Sequence, residues 1–166
     1  MKLSLLTMSL ILTASLSASN TPHMSETQEG VHAVKLFHTT LQTNLQQKLQ
    51  ADHNGTSSME VCTTEADRTM QEINSQLPAH VKIRIASLDL NNTTNPTDLT
   101  IMKKYQEDIK KKTAGAMIIT TAKIEGTTHV FKPLVIDNTW LECHDDKSTV
   151  EIGDFKGVIV SEVSKH

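Results

Sequence analysis

Between residues 29 and 52 the apolar side chains fall on a single stripe: Val31, Val34, Leu41, Leu45 and Leu49, with Phe37 beside them. Spacing of three to four residues, kept up over this length, predicts one long amphipathic helix. The intervening Gln, Lys and Thr residues form its solvated side. A stripe this long has to be covered by another layer of secondary structure. Ser25 and Gln28 have the spacing of a capping box ahead of it, and Asn54-Gly55 ends it in a turn.

A second helix fits Ser57 to about Gln76, with Met59, Cys62, Ala66, Met70, Ile73 and Leu77 at helical spacing and Pro78 closing it. From Val81 to Ala86 the chain alternates as a strand does, with Val81, Ile83 and Ile85 on one face. The turn formers from Asn91 to Pro96 make a loop, after which Thr97 or Asp98 can cap a third helix from Leu99 to about Lys111. Ile101, Met102, Tyr105 and Ile109 supply the apolar side of that helix. Ala116 to Ile124 and Thr128 to Ile136 read as a hairpin turned at Gly126, and Val158 to Val163 is a last strand beyond the polar segment Asp145 to Thr149. Helix, helix, strand, helix and three strands describe an α+β domain, an antiparallel sheet with helices against it.

At the N-terminus Lys2, the apolar run Leu3 to Leu16 and the small residues Ser17-Ala18-Ser19 have the pattern of a secretory signal peptide, residues 1–19, which leaves 20–166 as one exported, periplasmic domain. No later stretch is apolar enough to span a membrane. The net charge of −3 over 166 residues gives no electrostatic footprint for nucleic acid. Aromatics make up only 3% of the chain, so Ile, Val, Leu and Met have to build the core. Lys103, Lys104, Lys110, Lys111 and Lys112 form a basic cluster, read first as a solvated helix face and second as a docking patch for an acidic partner. Motifs of hydrolases, metallopeptidases and phosphate loops are absent, and His80, His129 and His144 have no zinc-site spacing, so no enzymatic activity is expected.

The chain has two cysteines. Cys62 lies on the apolar face of the second helix, where a cysteine is either a small buried hydrophobe or a thiolate ligand. Cys143 precedes His144 in the run Trp140-Leu141-Glu142-Cys143-His144. A Cys-His pair of this kind points to a c-type haem site, in which the thiol adds to a haem vinyl group and the imidazole ligates iron. Trp140 stands where the C-x-x-C-H pattern has its first cysteine, so at most one thioether can form. In an oxidising compartment the same two cysteines can instead pair as a disulfide.

Several landmarks occur together along the chain: Val61-Cys62, Ser87-Leu88, the loop containing Asn92, Asn95 and Asp98, Lys132-Pro133, Cys143-His144, and the turn Gly153-Asp154-Phe155-Lys156-Gly157. In this order they resemble a family of small bacterial c-type haem domains with a PAS-like fold, found as free exported proteins and as sensory modules of membrane-bound signalling proteins. The resemblance spans essentially the whole chain beyond the signal peptide. It implies a thioether at Cys143, His144 as proximal iron ligand, Cys62 as the opposite axial ligand, and Trp140 packed on the porphyrin edge. The implied cofactor is haem c held through a single thioether, or haem b held by its axial ligands alone. The implied role is a redox or gas sensor or a small electron carrier, working with a redox partner or a membrane sensor protein. The alternative is a haem-free PAS-like module that binds a small molecule or a partner and carries a structural Cys62–Cys143 disulfide.

Overall fold

The computed structural model describes residues 24–51, 57–87, 95–111, 119–143 and 150–165. The signal-peptide reading, the turn at Asn54-Gly55, most of the Asn-rich loop, Lys112 and His144 lie outside these residues. Helix α1 (Glu26–Ala51) is followed by α2 (Ser58–Gln76), β1 (Val81–Ser87), α3 (Pro96–Lys110), the hairpin strands β2 (Thr120–Ile124) and β3 (Thr127–Val135), a single turn α4 (Asn138–Leu141), and β4 (Phe155–Val163). The chain is α+β, as the order of sequence signals implied.

Helix starts follow side chains that satisfy the first free N–H groups. At α1 the Ser25 and Gln28 side chains bond reciprocally to each other's backbone, which is the capping box read from sequence. At α2 the Ser57 hydroxyl accepts from Glu60 N–H. The third helix begins earlier than expected: Asn95, not Thr97 or Asp98, is its cap, accepting from the N–H groups of both residues, and Pro96 opens the helix. Met59 also departs from its expected place, since it is 42% exposed. It sits in the first turn of α2, ahead of the part of the helix that lies on α1.

The four strands form one antiparallel sheet in the order β1-β4-β3-β2. Glu125 and Gly126 turn the β2–β3 hairpin, both with positive φ, the geometry that matches strand twist in a two-residue turn. At Gly157 in β4 a side chain would collide with the backbone of Ala86, so glycine lets β1 and β4 close up. A register shift between Leu134 and Val135 ends regular pairing just before α4.

Because successive strand residues face opposite ways, the sheet has two apolar faces. Val81, Ile83, Val130, Ile159 and Val163 meet Ala33, Val34, Phe37, Leu41 and Leu45 of α1, and α2 closes over that helix with Ile73 and Cys62. On the other face Ala86, Phe131, Val158 and Val160 meet Met102 and Tyr105 of α3. Among the described residues no helix is long and apolar enough to cross a membrane.

Candidate functional site

The candidate site lies where α2 and α4 come together over α1. Asp137 starts α4 by accepting from Thr139 and Trp140 N–H at 2.9 and 3.0 Å. Two side chains of α1 hold this turn in place: Gln42 Nε2 donates to Asp137 Oδ2 at 3.1 Å, and Gln46 Nε2 donates to Thr139 Oγ1 at 3.2 Å. Cys143 follows α4, its N–H bonded to the Trp140 carbonyl at 3.1 Å. The segment leading to Cys143 thus opens with a helical turn. The sequence pattern alone did not predict this turn, although Asp137-Asn138-Thr139 carries a cap signal that could have revealed it.

Cys62 and Cys143, 81 residues apart, are joined as a disulfide with a Cα–Cα distance of 5.8 Å. Both are almost wholly buried, in the same cluster as Phe37, Leu41, Leu45 and Ile73. Trp140 is half-buried and packs against this cluster. Three of the four residues expected at the site therefore lie together. The fourth, His144, is outside the described residues. The apolar setting of Cys62 agrees with its helical spacing, whereas its partner could not be derived from local pattern.

The polar border of the site has a distinct electrostatic character. Lys132 of β3 and His38 of α1 are both held below their ordinary pKa values. For Lys132 the cause is burial, opposed by the charge of Asp137. For His38 it is burial first and then the positive charge of Lys132, again opposed by Asp137. Burial disfavours the charged form of each base. Glu65 of α2 is a buried carboxylate, 3% exposed. Arg68 Nε donates to it at 3.1 Å, Thr69 Oγ1 donates to it at 3.2 Å, and Asn44 of α1 donates to Thr69 Oγ1 at 3.1 Å. This polar chain fastens α2 to α1, and the helical stripe gave no hint of it.

Arg84, on the opposite face of the sheet from Ile83, bonds both carboxylate oxygens of the buried Asp98 and, through Nε, Glu162 at 2.8 Å. Each of its three guanidinium nitrogens thus bonds a carboxylate. Nearby, His129 is buried on β3 with its Nδ1 unbonded, 3.9 Å from Glu162. Among the described residues no group of three or more His, Cys, Asp or Glu is placed to hold a metal ion.

In the form described, the site can clamp α2 to the α4 turn but offers no free sulfur. A vinyl thioether at Cys143 and an iron bond from Cys62 each need a sulfur that is not bonded to the other. The residues of the disulfide form therefore do not fit the ligand set that the family resemblance implies.

No protein-family model matches the chain, and no curated protein matches it. Among solved structures the fold is similar to the crystal structure of the cyanobacterial heme-protein Tll0287, with a TM-score of 0.57 over 82% of this chain and 95% of that one, at 12% identity. The α+β architecture with its long N-terminal helix on the sheet is therefore of the PAS-like kind.

Proposed function

We propose that this chain is a PAS-like sensory module of a haem-related type, exported to the periplasm and without catalytic chemistry of its own. The observation that carries the reading is the convergence of Cys62 and Cys143. These are the residues from which the resemblance would draw an axial sulfur and a thioether, and the fold brings them to one point from 81 residues apart. The shared fold with a protein described as a heme-protein supports the same reading. Haem ligation by Cys62 and His144, with a single thioether at Cys143, belongs to a state in which both sulfurs are free. Haem c and haem b are both compatible with such a state.

A second reading is favoured by the disulfide itself: a haem-free module in which Cys62–Cys143 is purely structural and the domain binds a small molecule or a partner. One preparation separates the two. The precursor is expressed in a bacterium with intact c-type haem maturation, and the absorption spectrum is recorded before and after acid-acetone extraction, with free thiols counted. A Soret band retained on extraction means covalent haem at Cys143, and a band lost on extraction means haem held by ligation alone. A folded protein with no Soret band, either as isolated or after reduction and addition of ferric haem, leaves the haem-free module standing and sinks the haem-related reading.

A further inference from the structure

We propose that Cys62–Cys143 is a thiol–disulfide gate on this site: reduction by an external dithiol releases the α4 turn from α2 and frees two sulfur ligands there. The part of the inference that concerns haem rests on the reading proposed above. The opening itself does not.

The two elements joined by the bond are held very unequally. Helix α2 has 19 residues, a Ser57 cap and the Asn44–Thr69–Glu65–Arg68 chain to α1. Turn α4 has four residues, none of them buried. Among the described residues its side-chain hydrogen bonds to α1 are Gln42–Asp137 and Gln46–Thr139, the second of them exposed, and half-buried Trp140 packs on the core. Segments with few buried contacts and exposed hydrogen bonds open at low free energy. Once the covalent link is cut, α4 is therefore the element that moves. Phe37, Leu41, Leu45, Val130 and Ile159 are fully buried in the cluster that α1 forms with the sheet, so that core is expected to stay closed when the turn lifts.

The chemistry balances without a further reagent. A thiolate of the reductant attacks Cys143 Sγ, the S–S bond to Cys62 breaks, and Cys62 leaves as a thiolate that takes up a proton. The second thiol of the reductant then attacks the mixed disulfide and releases Cys143, which is also protonated. Two electrons and two protons pass from the dithiol to the protein, and the dithiol becomes a disulfide. The Thr139 carbonyl oxygen, 3.9 Å from Cys143 Sγ, is within reach to accept the new thiol hydrogen. Attack requires access, and both sulfurs are buried, so the rate is limited by transient local exposure of the bond, with release of α4 following its cleavage.

The test compares the oxidised protein, the protein reduced with dithiothreitol and desalted without oxygen, and a double variant with Cys62→Ser and Cys143→Ser. Amide hydrogen exchange is read at Leu141 and Cys143, whose N–H groups bond Asp137 and Trp140 carbonyls. Reduction is expected to speed exchange there by about tenfold or more while amides of α1 and β4 stay protected. The double variant should match the reduced protein and ignore dithiothreitol. Unchanged exchange at α4, or loss of protection throughout the chain, overturns the gate. Titration with ferric haem adds the ligand arm. A Soret shift confined to the reduced wild type supports both gate and haem reading. Equal binding by the oxidised protein overturns the gate and leaves the haem reading. Binding by neither form, with α4 opened, overturns the haem reading and leaves the gate.

Discussion

The Asn74 side chain of α2 bonds both backbone groups of Ile83 in β1: Oδ1 accepts from the N–H at 2.7 Å, and Nδ2 donates to the carbonyl at 2.8 Å. One amide thus takes the place of a neighbouring strand along the free edge of the sheet. Exposed edges are templates for pairing with other chains, and a side chain that satisfies the edge removes part of the template. Replacing Asn74 with Leu should lower stability by about 1–3 kcal/mol, the net value of two such bonds. It should also raise self-association through β1. Urea unfolding midpoints and sedimentation check the two effects, and an unchanged midpoint would show that water replaces the amide without loss.

Asp98 is only 1% exposed and faces the forked guanidinium of Arg84. The Arg84 side chain remains one-third exposed and keeps Glu162 as a second partner. Removing Asp98 therefore leaves a cation that water can still reach in part. Asp98→Ala is expected to cost about 2–3 kcal/mol, below the range for a fully buried pair. Because Asp98 also anchors the first turn of α3 against β1, protection of the amides of α3 should fall more than that of α1. Equal loss in both helices would contradict this placement.

The Glu65 carboxyl is held below its ordinary value of 4.5, first by the hydrogen bond from Arg68, with the charge of Arg68 and the Thr69 hydroxyl acting in the same direction against burial. In the unfolded chain it titrates near the ordinary value. Its contribution to stability is thus fully present above about pH 4.5 and is lost as pH falls through the lower, folded value. Glu65→Gln removes this dependence. Urea midpoints measured from about pH 3 to pH 7 should show a shallower acid decline in the variant than in the wild type. Parallel declines would mean that Arg68 does not hold Glu65 in solution.

Lys132 titrates in the opposite sense. Burial depresses its folded pKa below 10.5, so at neutral pH the folded protein carries a charge that its surroundings disfavour. The unfolded chain binds the proton more tightly, and stability from this residue rises as pH climbs through the folded value. Lys132→Met should raise the melting temperature at neutral pH and flatten the alkaline rise. A lower melting temperature would show that the Asp137 charge outweighs burial.

The disulfide closes a long loop, since its cysteines lie 81 residues apart. The chain-entropy relation gives about 4–5 kcal/mol for a loop of that length. Cys62→Ala together with Cys143→Ala should lower stability by up to that amount. The α1–sheet core should persist, because most of the cluster that holds the two cysteines is aliphatic and aromatic side chains of α1 and the sheet. Near-ultraviolet dichroism with urea unfolding distinguishes a weakened fold from a lost one.

Much of the fold was legible in local pattern. The helices, the hairpin about Gly126 and the last strand all came from spacing of three to four or of two, as did the inward face of Cys62. The capping box at Ser25 was read from two residues, and their side chains form it. The third helix was capped too late on paper because Asp98 is itself a good cap. In the fold its carboxylate is taken by Arg84, and Asn95 caps instead. The α4 turn was missed because four residues are too few for a period to show.

Local pattern set which long stretches are helix or strand and, Met59 apart, which side of each is apolar. Those properties depend on residues within a few positions of one another. Packing in three dimensions brings Cys62 to Cys143, sets Asn74 against the edge at Ile83, and turns Arg84 toward Asp98 and Glu162. Each of these pairs depends on how packed elements stand in space, and the packing is set by the summed burial of apolar faces rather than by the polar or sulfur atoms brought together. The same two cysteines could have been apart, free to ligate a metal, or bonded to each other. The way α2 and α4 lie across α1 selects the bond.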